Sequence, residues 1–117
     1  MTLEELRKRI DVLDRQLVAL LSERAEAALE AGRLKSATSL PIYEPAREKT
    51  NYENVRQANL GPLPDIELIH IFERVIDVMR SLQKNELASQ RLAQGNAQAA
   101  TVSHEAGVQS PETGNRQ

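Results

Sequence analysis

The sequence predicts an all-α fold of three helices, one long and two shorter. Three observations carry that expectation. Apolar residues recur at alternating three- and four-residue steps near the start of the chain. A second apolar stripe runs from Leu68 to Leu82. Between them lie breaks rich in proline and glycine, Leu40-Pro41, Glu44-Pro45 and Asn59-Leu60-Gly61-Pro62. Period-3.6 patterning separated by such punctuation is the signature of amphipathic helices joined by short turns.

The first helix is expected over Thr2 to Lys35. Leu3, Leu6, Ile10, Leu13, Leu17 and Leu20 are spaced 3, 4, 3, 4, 3, the rhythm of a helix packed along its length. Thr2 and Glu5 have the spacing of a capping box, and no proline or glycine intervenes before Gly32. The next beats of the seam fall on Arg24, Ala27, Ala31 and Leu34, so the seam narrows to small residues beside an inward arginine. Lys35 lies eleven residues beyond Arg24, close to three turns. The two cations therefore project to one side roughly 16 Å apart. Cations flanking alanines on an inward face describe a site for an anion. The same residues also fit an arginine paired with a structural carboxylate and a solvated lysine near a helix end. A helix of this length is a rod of roughly 50 Å. A compact domain of this size has a radius of gyration near 13 Å, so a partner chain is the simplest cover for the rest of the seam.

Ser36 to Tyr43 is read as a connector. Pro45 suits the first position of a second helix, expected to run to about Ala58. The apolar face of that helix is thin, with Ala46, Tyr52, Val55 and Ala58 set among Arg47, Glu48, Asn51 and Asn54. Such a helix borders a site or solvent. Gly61 and Pro62 lie just past its end.

Pro64-Asp65 opens the third helix, with Asp65 and Glu67 favourable at the positive end of its dipole. Leu68, Ile69, Phe72, Val75, Ile76, Met79 and Leu82 form a broad stripe, which Gln83 interrupts. On the pattern alone, Gln83 reads as a helix-end amide facing water, and His70 as a helix-surface residue. The 25 residues from Ala93 contain no Leu, Ile, Phe, Met, Trp or Tyr. The chain is accordingly divided into a helical domain, 1–90, and a polar tail, 91–117, that buries too little to remain ordered. His104 falls in the tail.

Composition narrows the function classes. With 15 basic and 17 acidic residues the formal net charge is −2, unlike the basic surface of a general nucleic-acid binder. There are no cysteines and only two well-separated histidines, so neither a disulfide framework nor a metal centre is expected. No apolar run reaches the roughly 18 residues of a membrane span. The N-terminus enters a helix at once, without a signal-peptide pattern. A soluble, cytoplasmic protein of one small domain is the expectation.

The ordered segments LRKRIDVLDRQLVALLSERAEAALEAGRLK, PIYEPAREK, NLGPLPD and IFERVIDVMRSLQ, taken with their spacing, resemble the all-α chorismate mutases. The resemblance covers roughly Leu3 to Gln83. It implies a three-helix chain that interlocks with a second copy into a homodimeric helical bundle with two sites. It implies the rearrangement of chorismate to prephenate, on the route to phenylalanine and tyrosine, without cofactor or metal. Position by position, it implies that Arg24, and Arg7 of the other subunit, bind the substrate carboxylates. Lys35 and Gln83 are implied as donors to the ether oxygen. Glu48, with the Glu44 backbone, is implied to hold the ring hydroxyl, and Arg47 to organise the pocket. Arg7 is 17 residues from Arg24, about 25 Å along a straight helix, so one small ligand cannot touch both on the same helix.

Two positions depart from the family's pattern. Met79 stands where a small hydroxyl residue, commonly serine, borders the substrate. Glu44 stands where aspartate is common. Two other readings remain open at this point. A lyase of the same fold that releases pyruvate from isochorismate would share the arginines and the lysine, although its relatives tend to lack an acid at the position of Glu48. A non-catalytic helical dimer would share the periodicity, but buried polar groups such as Arg24, Lys35, Glu48 and Gln83 cost stability unless paired. The chain's length leads us to expect a monofunctional enzyme, free to associate with another enzyme of the shikimate pathway.

Overall fold

The structure is a computed structural model that describes residues 1–103, with side chains described through Gly95. It consists of α1 (Leu3–Ala37), α2 (Pro45–Ala58) and α3 (Asp65–Ser103), with no strand among the described residues.

The start of α1 is capped as its sequence anticipates. The Thr2 hydroxyl accepts from the Glu5 amide at 3.1 Å, and the Thr2 amide donates to Glu5 Oε1 at 2.8 Å. At the other end the Thr38 amide and hydroxyl both donate to the Leu34 carbonyl, at 3.1 and 2.9 Å. These bonds satisfy groups that the helix itself leaves unpaired. Pro45 occupies the first turn of α2, and the Glu44 carbonyl, in extended backbone, accepts from the Glu48 amide at 3.0 Å. Asn59 organises the turn into α3. Its amide donates to the Leu63 carbonyl at 2.8 Å and to Asp65 Oδ1 at 2.7 Å, while its oxygen accepts from the Gly61 amide at 2.9 Å. Gly61 has φ +81°, a conformation that side chains with a Cβ disfavour.

The third helix is longer than expected. It continues through residue 90 to Ser103, so the first part of the expected tail is helical. Lys84, Glu86, Leu87, Ala88, Gln90, Arg91, Leu92 and Ala93 are good helix formers, and no proline follows until Pro111. Local propensity therefore extends the helix beyond the part that packs. Residues 104–117, with His104, lie outside the described residues.

Both α1 and α2 pack on α3. The buried apolar residues are Ile69, Ile76 and Met79, all on α3, together with the polar Gln83. Gly32 allows α1 to approach closely, since a Cβ there would lie 2.9 Å from Gln83 Cγ. Farther along, Arg33 pairs with Glu86 at 2.9 Å.

The N-terminal half of α1 is exposed throughout. No residue of α1 is buried, and Leu3, Leu6, Ile10, Leu13, Leu17 and Leu20 are all between 43 and 62% exposed. The radius of gyration is 19.4 Å and the longest extent 67 Å. The expected seam is thus formed in the right register but lies open in a single chain.

Candidate active site

A cleft of about 410 Å³ opens between the C-terminal half of α1, the start of α2 and the middle of α3. Arg24, Lys35, Glu44, Arg47, Glu48, Met79 and Gln83 all line it. The structure therefore gathers seven of the eight expected site residues from three helices and a connector. Arg7, the eighth, is exposed on the free half of α1 and does not line the cleft of its own chain.

The floor is small and apolar where the cations stand. Ala27, Ala28 and Ala31 line it from α1, and Ile76 and Met79 from α3. Small side chains leave the space that the cleft occupies. Met79 is only 7% exposed, so the thioether supplies packing here and no hydroxyl.

Lys35 is held on three sides. Its ammonium donates to the Ile42 carbonyl at 3.0 Å, to Glu44 Oε1 at 3.0 Å and to Gln83 Oε1 at 3.4 Å. Its side chain is 16% exposed, so the reading of a solvated lysine is overturned. The water-facing reading of Gln83 is overturned as well. Gln83 is 9% exposed, and its amide nitrogen donates to the Ala28 carbonyl at 2.7 Å. The bond to Ala28 uses one of the two N–H groups and leaves the second available.

Glu48 is paired with Arg80 of α3. The Arg80 guanidinium also lies 5.0 Å from the centre of the Tyr43 ring and 3.5 Å from Asp77. The hydrogen bond from Arg80 to Glu48 pushes the guanidinium above its ordinary range, so it remains charged. Burial, with the Glu48, Glu73 and Asp77 carboxylates nearby, pushes the Tyr52 phenol up and keeps it neutral. Sequence reasoning missed Arg80 and did not place Asn51 in the site, although both line the cleft. Arg80 sits beside Met79 on the edge of the apolar stripe, where an arginine reads as ordinary helix surface. Asn51 was legible only as part of the unusual polarity of α2.

The charges sort into two groups. Glu44 neutralises Lys35 and Glu48 neutralises Arg80. Among the described residues, Arg24 and Arg47 make no ion pair, and both line the cleft. The cleft thus presents two uncommitted guanidinium groups, suited to carboxylates. No cluster of metal-ligating side chains occurs among the described residues. No described helix is long and apolar enough to cross a membrane.

Residues 6–84 match the family described as chorismate mutase type II. The chain belongs to this family. The chorismate mutase of Methanocaldococcus jannaschii is 34% identical over 86 residues, an overlap covering 73% of this chain and 87% of that protein. The bifunctional chorismate mutase/prephenate dehydratase of Aquifex aeolicus is 40% identical over 86 residues. That alignment covers 70% of this chain and 24% of the bifunctional protein, so the chain spans about a quarter of that relative's length. A solved chorismate mutase from Helicobacter pylori, in complex with prephenate, superposes with a TM-score of 0.67 at 35% identity. It covers 74% of this chain and 93% of that one. The all-α architecture expected from the sequence is thus that of chorismate mutases of known structure.

Proposed function

We propose that the chain is a chorismate mutase, catalysing the intramolecular rearrangement of chorismate to prephenate in a homodimer. The single observation that carries this reading is the cleft's division of labour. Two unpaired arginines face the same space as a desolvated lysine, a buried glutamine and a paired glutamate.

The rearrangement breaks one C–O bond and forms one C–C bond within a single molecule. It calls for no nucleophile. One task is to hold the flexible enolpyruvyl arm over the ring. Arg24, Arg47 and Arg7 of the partner subunit would do this through charge-assisted bonds to the two carboxylates. The other task is to stabilise negative charge that grows on the ether oxygen as the C–O bond lengthens. Donors already fixed in place stabilise that charge without reorganising. Lys35 would supply one by exchanging its longest bond, the 3.4 Å contact to Gln83, for the ether oxygen. Gln83 would supply the other through the N–H not used by Ala28. Glu48 and the Glu44 backbone would hold the ring hydroxyl, with Glu44 anchoring Lys35 from behind.

The dimer rests on the open leucine seam. Six large apolar side chains along one face form a surface that a second copy of the same helix covers naturally. A two-fold arrangement uses the same face on both chains. Antiparallel pairing of the two α1 helices would carry Arg7 of the partner subunit to the cleft that its own chain cannot reach. The reaction belongs to cytoplasmic aromatic biosynthesis, and fusion to prephenate dehydratase in the Aquifex relative supports association with another enzyme of that route.

Incubation of the purified protein with chorismate, and separately with isochorismate, followed by product identification, tests the reading. Efficient formation of prephenate from chorismate is expected. Pyruvate released chiefly from isochorismate would replace the mutase with the lyase. No product from a folded dimer would leave a binding module.

A further inference from the structure

We propose that Arg80 is a positioning residue that aims the Glu48 carboxylate into the cleft. The inference rests on the role given to Glu48 above and extends it to a residue outside the expected set.

Glu48 has two places to go. It lines the cleft, and it also lines a second groove with Tyr43, Tyr52 and Arg56. An unrestrained glutamate with three rotatable bonds would divide its time between the two. Arg80 lines the cleft but does not line the groove. Its Nη2 bonds Glu48 Oε2, which ties the carboxylate to a residue of the cleft wall and leaves Oε1 free of that bond.

The guanidinium is itself well fixed. Tyr43 stacks on it at 5.0 Å, and Asp77, one turn back on the same helix, lies 3.5 Å from Nη1. A cation over a phenol ring is attracted by the ring's negative face, which adds a non-directional hold to the directional bond. Arg80 Nε is buried without a hydrogen-bond partner. A buried orphan donor costs stability. The arrangement therefore spends stability at this point while fixing a carboxylate that the chemistry uses.

Charge gives a second reason. A substrate with two carboxylates is repelled by an uncompensated glutamate beside it. Pairing with Arg80 cancels that repulsion and leaves Arg24 and Arg47 to act on the substrate undiminished.

A double-mutant cycle of Arg80→Met and Glu48→Gln, read as kcat, KM and melting temperature, tests the proposal. Methionine keeps the stem's packing and removes the cation. Arg80→Met is expected to lower kcat/KM by on the order of ten-fold in the wild-type background and to change it little in the Glu48→Gln background. Arg80→Lys, which retains the charge, is expected to recover most of the loss. Should Arg80→Met fail to fold, Arg80→Gln takes its place in the same cycle. Equal losses from Arg80→Met in both backgrounds would overturn the proposal, because Arg80 would then act without Glu48. So would wild-type kcat/KM in Arg80→Met when Glu48→Gln is impaired; the role of Glu48 would stand and only its aiming by Arg80 would fall. Wild-type turnover in Glu48→Gln would overturn the role of Glu48 and the inference together.

Discussion

Replacing Gly32 by alanine sets two effects of opposite sign against each other. In an ordinary helix interior, alanine is favoured over glycine by about 1 kcal/mol. Gly32 lies within α1, so propensity alone makes Gly32→Ala stabilising. The new Cβ, however, would sit 2.9 Å from Gln83 Cγ, 3.3 Å from its Cβ and 3.4 Å from its Cδ. Carbon atoms rest at about 3.5–4.0 Å, so the gap is short by roughly half an ångström or more. The nearest atoms are at the root of the Gln83 side chain, where swinging the amide tip does not relieve the clash. Either α1 backs away from α3 or Gln83 changes rotamer. Overpacking of this kind costs about 1–3 kcal/mol, and losing the 2.7 Å bond to the Ala28 carbonyl adds to it. The balance is a net loss of about 1–2 kcal/mol. Because Gln83 is also a proposed donor to the ether oxygen, kcat should fall by on the order of 10²-fold. Equilibrium urea unfolding at fixed protein concentration gives the first quantity and steady-state conversion of chorismate the second. A variant that gains about 1 kcal/mol and keeps wild-type kcat would refute the close approach and the role of Gln83.

Other perturbations separate the remaining parts. Lys35→Ala should lower kcat by about 10²–10³-fold while leaving helix content and assembly intact; turnover near wild type would remove Lys35 from the chemistry. Leu17→Glu places a charge in the middle of the open seam and should convert the proposed dimer to a monomer with little turnover. Sedimentation velocity on the same samples used for kinetics checks both, and an active monomer would sink the shared-site reading.

The fold was legible because its signals are local. The capping box at Thr2 and Glu5, the proline at Pro45 and the turn around Asn59 to Gly61 act within a few residues, and each helix begins where they point. The far end of α3 lies beyond the point that composition suggests. Large apolar residues are lacking after Leu92, but helix propensity through that stretch carries the backbone on to Ser103. Composition reports what a segment can bury, and burial is not needed to continue a helix already nucleated.

The site was legible to a different degree at each residue. Arg24 stands out because it breaks a leucine seam, and it lines the cleft. Gln83 could not be read from periodicity. Its burial depends on Gly32, 51 positions earlier, letting α1 come close. Lys35 reads as solvated until the connector folds back and brings Ile42 and Glu44 to its ammonium group. Arg80 was invisible because nothing in its neighbourhood along the chain announces that Glu48 and Tyr43, from another helix and a connector, will meet it. These are tertiary coincidences, and single-sequence patterns carry no record of them.

The most direct test of the central claim, a site built on one chain and completed by the other, is complementation between two inactive variants. Arg7→Ala and Arg24→Ala chains are each purified, shown to be inactive, then unfolded together at equal amounts and refolded. In a mixed dimer one site keeps both arginines and the other loses both. Random assembly makes half the dimers mixed, so turnover should return to about a quarter of the wild-type value. No recovery, with mixed dimers demonstrated by mass spectrometry, would contradict donation of Arg7 across the interface.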